Sequence, residues 1–377
     1  MENTHEDSPV EDWYAIDNAA EIPSPALLIY PERIRENLTR LIELVGDVKK
    51  LRPHVKTHKL PQVIAMKGEA GISKFKVSTI AEAEMTAAAG GDDILLAYQP
   101  VGPNVARLIQ LIKAFPESRF SAIVDNSESL KNIVSAAKQA DVTVALFLDL
   151  NIGMNRTGIM VGQDAIDLYR QMECSSNIVT AGLHAYDGHI YDSDFDQLQH
   201  RAERNFASVL EMRATLRNLG SKVPTIVASG TPTSRFMVRY PDVEVSAGTP
   251  VLWDFGQAEV SPDLSFLNAI VVLARVISRP TANRICLDVG HKSVASEMAH
   301  PRIRFFGLEN ATAISHSEEH LVLETPRAGD FPVGTVLYGI PRHVCPTVAL
   351  HNFAWCVEKR IATEKWPIVA RTRCISI

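Results

Sequence analysis

The 377-residue chain has no apolar run near the roughly 18–20 residues that a bilayer-spanning helix needs, so no membrane-embedded function is expected. It also has no long basic run. Lys plus Arg total 38 against 44 Asp plus Glu, a net charge of −6. A mildly acidic chain of this kind is a poor ligand for nucleic acid or anionic membrane. Cysteine is sparse, and its five residues (Cys174, Cys286, Cys345, Cys356 and Cys374) are odd in number and widely spread. That is no disulfide framework, and it points to a reducing compartment. Met1–Asp12 is acidic and polar, unlike a signal or transit peptide, so a cytoplasmic location is expected. Fixed-period repeats and low-complexity tracts are absent. The 46% hydrophobic and 22% charged fractions match globular averages and exclude a disordered or collagen-like chain.

What is present is a regular alternation. After a loose arm (residues 1–22), short β-branched or apolar runs recur at Arg52–Thr57, Phe75–Ile80, Ile94–Tyr98, Phe120–Asp125, Thr143–Leu150, Val179–Tyr186, Thr225–Ser229 and Val243–Ala247. Helical spacing lies between them, as in Pro103–Phe115 and Glu128–Gln139. Eight such units predict an α/β fold, a (β/α)8 TIM-type barrel over residues 23–260. From residue 261 to 377 the text changes to strand-like runs joined by Pro, Gly and polar turns, which predicts a mainly antiparallel β domain. The runs are Ala269–Ile277, Arg284–Asp288, Ile303–Phe306, His320–Glu324, Thr335–Gly339, Val348–His351 and Ile368–Thr372.

Barrel chemistry sits at the C-terminal ends of the strands, and those ends are rich in reactive groups. In Arg52-Pro53-His54-Val55-Lys56-Thr57-His58-Lys59, strand alternation puts Arg52, His54, Lys56 and His58 on one face. A lysine held among other cations becomes a nucleophilic amine able to form a Schiff base. The turns Ser229-Gly230-Thr231 and Gly248-Thr249 follow the last two strands, where barrels bind phosphate. Lysine and phosphate site together suggest pyridoxal 5′-phosphate. The sixth strand ends in His184, Tyr186, Asp187, His189 and Asp192, a density of titratable groups typical of an active site. Arg156, after the fifth strand, suits an anionic cofactor or substrate group. In the β domain, His343 and Cys345 stand two apart, so on extended backbone both can face one ion, and imidazole with thiolate favours zinc.

These motifs, Arg-Pro-His-x-Lys early and His-Val-Cys-Pro-Thr late with glycine-rich turns between, resemble the D-threonine aldolase and D-serine dehydratase group of fold-type III, alanine-racemase-like pyridoxal phosphate enzymes. The resemblance covers nearly the whole chain. It implies Lys56 as the Schiff-base lysine, with Lys59 its competing neighbour, and Tyr186 near the pyridine ring. It also implies His54 and Arg156 as cofactor contacts, Ser229, Gly230, Thr231, Gly248 and Thr249 on the phosphate, and His343 with Cys345 on a divalent metal (zinc or manganese). Many aldolases of the group have His-x-Asp at the metal position, whereas His-x-Cys is familiar from the dehydratases. Where those aldolases carry a histidine as base for the substrate hydroxyl, this chain has Asp192, with His189 the nearest imidazole. The implied activity is D-threonine aldolase in a homodimer acting on a small D-amino acid. The alternatives are dehydration of D-serine, D-threonine or D-3-hydroxyaspartate, and, further off, racemisation or non-catalytic pyridoxal phosphate binding.

Overall fold

A computed structural model describes residues 12–377, so the start of the expected arm lies outside the described residues. Residues 12–22 pack against the second sheet: Trp13 meets Tyr30 and Phe306 edge-on, and Tyr14 stacks on Phe306 with centroids 3.7 Å apart. Strand β1 (Ala26–Ile29) and helix α1 (Pro31–Val45) come next. The parallel sheet then contains β2 (Lys74–Val77), β3 (Asp93–Leu96), β4 (Arg119–Val124), β5 (Val144–Asn151), β7 (Ile178–Ala185), β8 (Thr225–Ala228) and β9 (Val243–Val245) in that order, with two-residue β6 (Ile159–Met160) on β5. Helix α2 (Pro61–Glu69) precedes β2, the helices between the strands are α3 (Ile80–Ala88), α4 (Pro103–Ala114), α5 (Ser127–Ala140), α6 (Gln163–Glu173), α7 (Phe195–Asn218) and α8 (Ser234–Met237), and α9 (Phe255–Val260) follows β9.

The eighth stave is the segment before β2. Leu51 bridges Val245 of β9, and His54 bridges Lys76 of β2, both in parallel sense, so the ring closes through residues 51–54. The run expected as a strand to Thr57 therefore stops at His54 and turns into one 3₁₀ turn, Val55–Thr57. One glycine lets the staves meet: Gly182 in β7 has φ +136°, and a Cβ there would stand 1.9 Å from the Thr225 carbonyl oxygen. Only glycine tolerates that approach.

The second sheet holds β10 (Ile270–Thr281), β11 (Arg284–Leu287), β12 (Ile303–Phe305), β13 (Thr312–His316), β14 (Leu321–Glu324), β15 (Val336–Pro341), β16 (Phe353–Glu358) and β17 (Ile361–Pro367). β1, inside the stretch assigned from sequence to the barrel, lies here, antiparallel to β10 and parallel to β16. Its four residues are all buried, alternately on two faces: Leu27 and Ile29 join the main core, and Ala26 and Leu28 pack in a smaller cluster with Ile16, Ile22 and Tyr30, while the second sheet pairs both edges. Two expected strands are corrected. Val348–His351 falls largely in helix α10 (Val344–Leu350), and Ile368–Thr372 contains a 3₁₀ turn, Val369–Arg371. In α10 the apolar run is held helical by end contacts. Pro346 sits in the first turn, where its missing N–H costs nothing, and buried Asp254 accepts from the Val344 N–H at 2.9 Å. No helix among the described residues is long and apolar enough to cross a membrane.

Candidate active site

The strand ends open into a cavity of about 540 Å³ whose walls include His54, Lys56, Lys76, Arg156, His184 and Tyr186. The 3₁₀ turn presents Lys56. Val55, Thr57 and His58 are buried anchors, the Lys56 N–H is donated to His54 Nδ1 at 3.2 Å, and the Lys56 side chain is left partly exposed on the cavity wall. Burial, with Lys56 and Lys76 nearby, holds His54 well below its usual pKa, so the ring is neutral. Lys59 is committed elsewhere, to the buried Glu82 carboxylate and, at 3.2 Å, the Ala370 carbonyl. That contrast separates the two lysines.

The expectation that Arg52, His54, Lys56 and His58 share one face is corrected by the turn, which breaks the alternation after His54. Arg52 is buried in ion pairs with Glu244 and Asp93, each at 2.6 Å. His58 faces Lys67 of α2, with Nε2 3.0 Å from Nζ. Only His54 and Lys56 of the four reach the cavity.

Tyr186 is the centre of a cationic ring: Lys76 Nζ lies 5.1 Å from its ring centroid, Lys56 Nζ 5.9 Å, and the Arg156 guanidinium carbon 5.0 Å. His184 Nδ1 bonds Asp149 Oδ1 at 2.6 Å on the neighbouring strand. Burial raises the Asp149 carboxyl, but His184 outweighs it and the net shift is down. His184 itself is lowered, first by burial and then by Lys76.

The two expected phosphate turns stand side by side. Ser229 adopts φ +74°, a strained left-handed geometry for a residue with a side chain, and Asp187 Oδ1 accepts the Gly230 N–H at 2.6 Å. Thr231 is buried, and Thr249 opens a 3₁₀ turn, Thr249–Val251. A Cβ on Gly248 would come within 2.9 Å of the His54 Cβ and carbonyl oxygen and 3.0 Å of Thr57 Oγ1, so this turn presses directly on the one bearing Lys56. Ser229 Oγ, Ser246 Oγ, Lys76 Nζ, Asp149 Oδ2 and His184 Nε2 are buried without a hydrogen-bond partner. Buried polar groups are normally paired. Of these, Lys76 and His184 line the cavity, and their unpartnered nitrogens there fit a polar ligand with several oxygens, as pyridoxal phosphate is.

His343 and Cys345 stand at the start of helix α10 and are not in the cavity wall. The backbone is extended only at His343. Cys345 is already in the first turn of α10, which corrects the extended-backbone picture. Its thiol donates to Thr57 Oγ1 at 3.3 Å, which joins this corner to the Lys56 turn. His343 Nδ1 bonds Glu297 at 2.5 Å. Burial lowers His343, but Cys345 and Glu297 prevail and carry it to about 9. Among the described residues, no group of three or more His, Cys, Asp or Glu side chains is arranged to hold a metal ion. An imidazole and a thiol on one corner fit a borderline-soft divalent ion whose remaining positions stay open.

His189 and Asp192 are not in the cavity wall. Asn205 Nδ2 donates to His189 Nε2 at 3.0 Å, and Arg201 Nη1 holds both Asp192 oxygens at 2.7 Å. Sequence reading missed Lys76 and Asp149. Asp149 is a charged residue inside an apolar parallel strand (Leu148-Asp149-Leu150), where charge is rare, and Lys76 lies between apolar Phe75 and Val77 in a parallel strand. That was the available signal.

The chain matches the family described as "Alanine racemase, N-terminal domain" over residues 29–249 and the "Putative serine dehydratase domain" over residues 269–357. It is 30% identical to a D-threonine aldolase of Arthrobacter sp, covering 94% of each chain. It is 27% identical to a D-threo-3-hydroxyaspartate dehydratase of Delftia sp. (strain HT23), covering 88% of this chain and 93% of that one. Among solved structures, a D-threonine aldolase from Filomicrobium marinum superposes with a TM-score of 0.87 at 27% identity, over 94% of this chain and 96% of that one. The chain belongs to the alanine-racemase-like, fold-type III family.

Proposed function

We propose that this chain is a pyridoxal-phosphate-dependent lyase acting on D-3-hydroxy amino acids, cleaving D-threonine to glycine and acetaldehyde. The observation that carries the reading is the free amine of Lys56 in the cavity wall, on a turn joined through Thr57 to the His343–Cys345 corner. Pyridoxal phosphate, when bound, supplies an electron sink for charge developing at the substrate's α-carbon. Lys56 would hold it, with Ser229, Gly230, Thr231, Gly248 and Thr249 at its phosphate and His54, Arg156 and Tyr186 around its ring. Neutral His54 keeps a positive charge from standing beside Lys56. A divalent ion, zinc or manganese, on His343 and Cys345 would polarise the substrate's 3-hydroxyl as a Lewis acid. Five free cysteines support a reducing, cytoplasmic setting, and the protein acts as a homodimer on a small D-amino acid.

One observation favours dehydration as a second reading. Aldol cleavage needs a base for the hydroxyl proton. Asp192 has both oxygens on Arg201, and His189, accepting from Asn205 at Nε2, carries its own hydrogen on Nδ1. Neither is poised to accept a proton, whereas removal of the α-proton by Lys56 needs no such group. Incubation of the purified protein with D-threonine, pyridoxal phosphate and a divalent metal decides the matter. Glycine and acetaldehyde establish cleavage, 2-oxobutyrate and ammonia establish dehydration, and neither product overturns the D-threonine assignment.

A further inference from the structure

Lys76 has no place in the mechanism above, yet it is the most exceptional side chain in the cavity. It is 2% exposed, and its Nζ has no hydrogen-bond partner. Its backbone bridges His54, two residues before Lys56, and its amine lies 5.1 Å from the Tyr186 ring centroid. The two nearby carboxylates are each tied at one oxygen, Asp149 Oδ1 with His184 and Asp187 Oδ1 with the Gly230 N–H, and neither makes a hydrogen bond or ion pair with Lys76, although their charge favours its protonated form. The charged side chains in the cavity wall are Lys56, Lys76 and Arg156, with no carboxylate among the lining residues. A buried amine with no hydrogen-bonded or ion-paired partner is expensive. Desolvation pulls Lys76 down to about 7, so the protein alone holds it near the point of losing its charge.

We propose that Lys76 is an anion-binding residue whose counter-charge comes from the bound small molecule, an oxyanion carried by the cofactor ring or by the substrate carboxylate. It acts separately from Lys56, which bonds covalently. In the ligand-free protein the amine is a cost to stability, and on binding it becomes an attractive charge in a water-poor cavity, where such charge acts strongly. This rests on reading the cavity as a pyridoxal phosphate site.

The test is Lys76→Met, which keeps length and removes the charge, with three readouts. The ligand-free variant should melt at a higher temperature than wild type, a result that also shows that it folds. Pyridoxine 5′-phosphate, which lacks the aldehyde and cannot bond Lys56, reports the cofactor arm. If the ring supplies the oxyanion, its dissociation constant rises tenfold or more in Lys76→Met. If the substrate supplies it, that constant is unchanged and KM for D-threonine of the cofactor-loaded variant rises tenfold with kcat nearly preserved. Lys76→Arg, which restores a cation, should recover part of whichever loss is seen. The inference is overturned if Lys76→Met changes neither constant, or if the ligand-free variant is less stable than wild type. A wild-type protein that binds neither pyridoxine phosphate nor pyridoxal phosphate overturns instead the cofactor reading on which it rests.

Discussion

Lys67 provides a sharp test of the electrostatics beneath the Lys56 turn. It is fully buried on α2, with Nζ 3.0 Å from His58 Nε2. His58 Nδ1 accepts the Leu60 N–H at 3.1 Å. A neutral imidazole has one hydrogen, so that hydrogen sits on Nε2 and points at Lys67, which must accept it with a lone pair. Lys67 is therefore a neutral amine. Burial agrees, taking it from its ordinary 10.5 to about 7. Because the folded value lies below the unfolded one, the unfolded chain binds more protons between these limits. Stability therefore rises with pH from about 7 to about 10.5, at about 1.4 kcal/mol per pH unit from this group, and the full penalty below pH 7 is about 5 kcal/mol. Lys67→Met removes that penalty and leaves the His58 N–H unpaired, at a cost of about 1–3 kcal/mol. The variant should be about 2–4 kcal/mol more stable at pH 7. Its rise in stability from pH 7 to 9 should also be shallower than wild type's by about 1.4 kcal/mol per pH unit. Urea unfolding of the cofactor-free protein at pH 7, 8 and 9 measures both quantities. Equal pH slopes, or a variant destabilised at pH 7, would refute the neutral-lysine argument.

Gly248→Ala forces a Cβ to within 2.9 Å of His54 and should displace the Lys56 turn. Overpacking of about 1–3 kcal/mol predicts cofactor affinity weakened about ten- to a hundredfold with the far-UV spectrum unchanged, and an unaltered titration with pyridoxal phosphate would contradict the contact. Cys345→Ala should show low activity that a chelator no longer affects, whereas the wild-type protein should lose its activity on chelation. Full wild-type activity in the chelator removes any metal role for the His343–Cys345 corner.

The strand ladder was legible because it is local. Seven of the eight expected barrel runs overlap strands β2–β5 and β7–β9, and the eighth, Arg52–Thr57, overlaps the 51–54 stave from Arg52 onward. Helices expected at Pro103–Phe115 and Glu128–Gln139 are α4 and α5 to within a residue or two. The errors occur where a remote group outweighs local pattern. Val348–Leu350 reads as a short apolar run, but α10 is held by Asp254, 90 residues away, so it is helical. β16 and β17, though alternating, were hidden among polar turns, and their pairing with each other and with β1 makes them strands.

At the site, sequence alone determined the type of chemistry. A lysine beside histidines in the first stave, hydroxyl–glycine turns after the last two strands and a late His-x-Cys are all short motifs whose members are held together by the chain itself. Tertiary structure decided which of those groups act together. Ring closure makes His54 and Lys56 face the cavity while Arg52 and His58 are bound elsewhere. It also sets Lys76 beside Tyr186 and brings Cys345 to Thr57 across a separation of 288 residues. Whether a charged group is free, paired or unpartnered depends on neighbours supplied by other elements, and no local pattern encodes them.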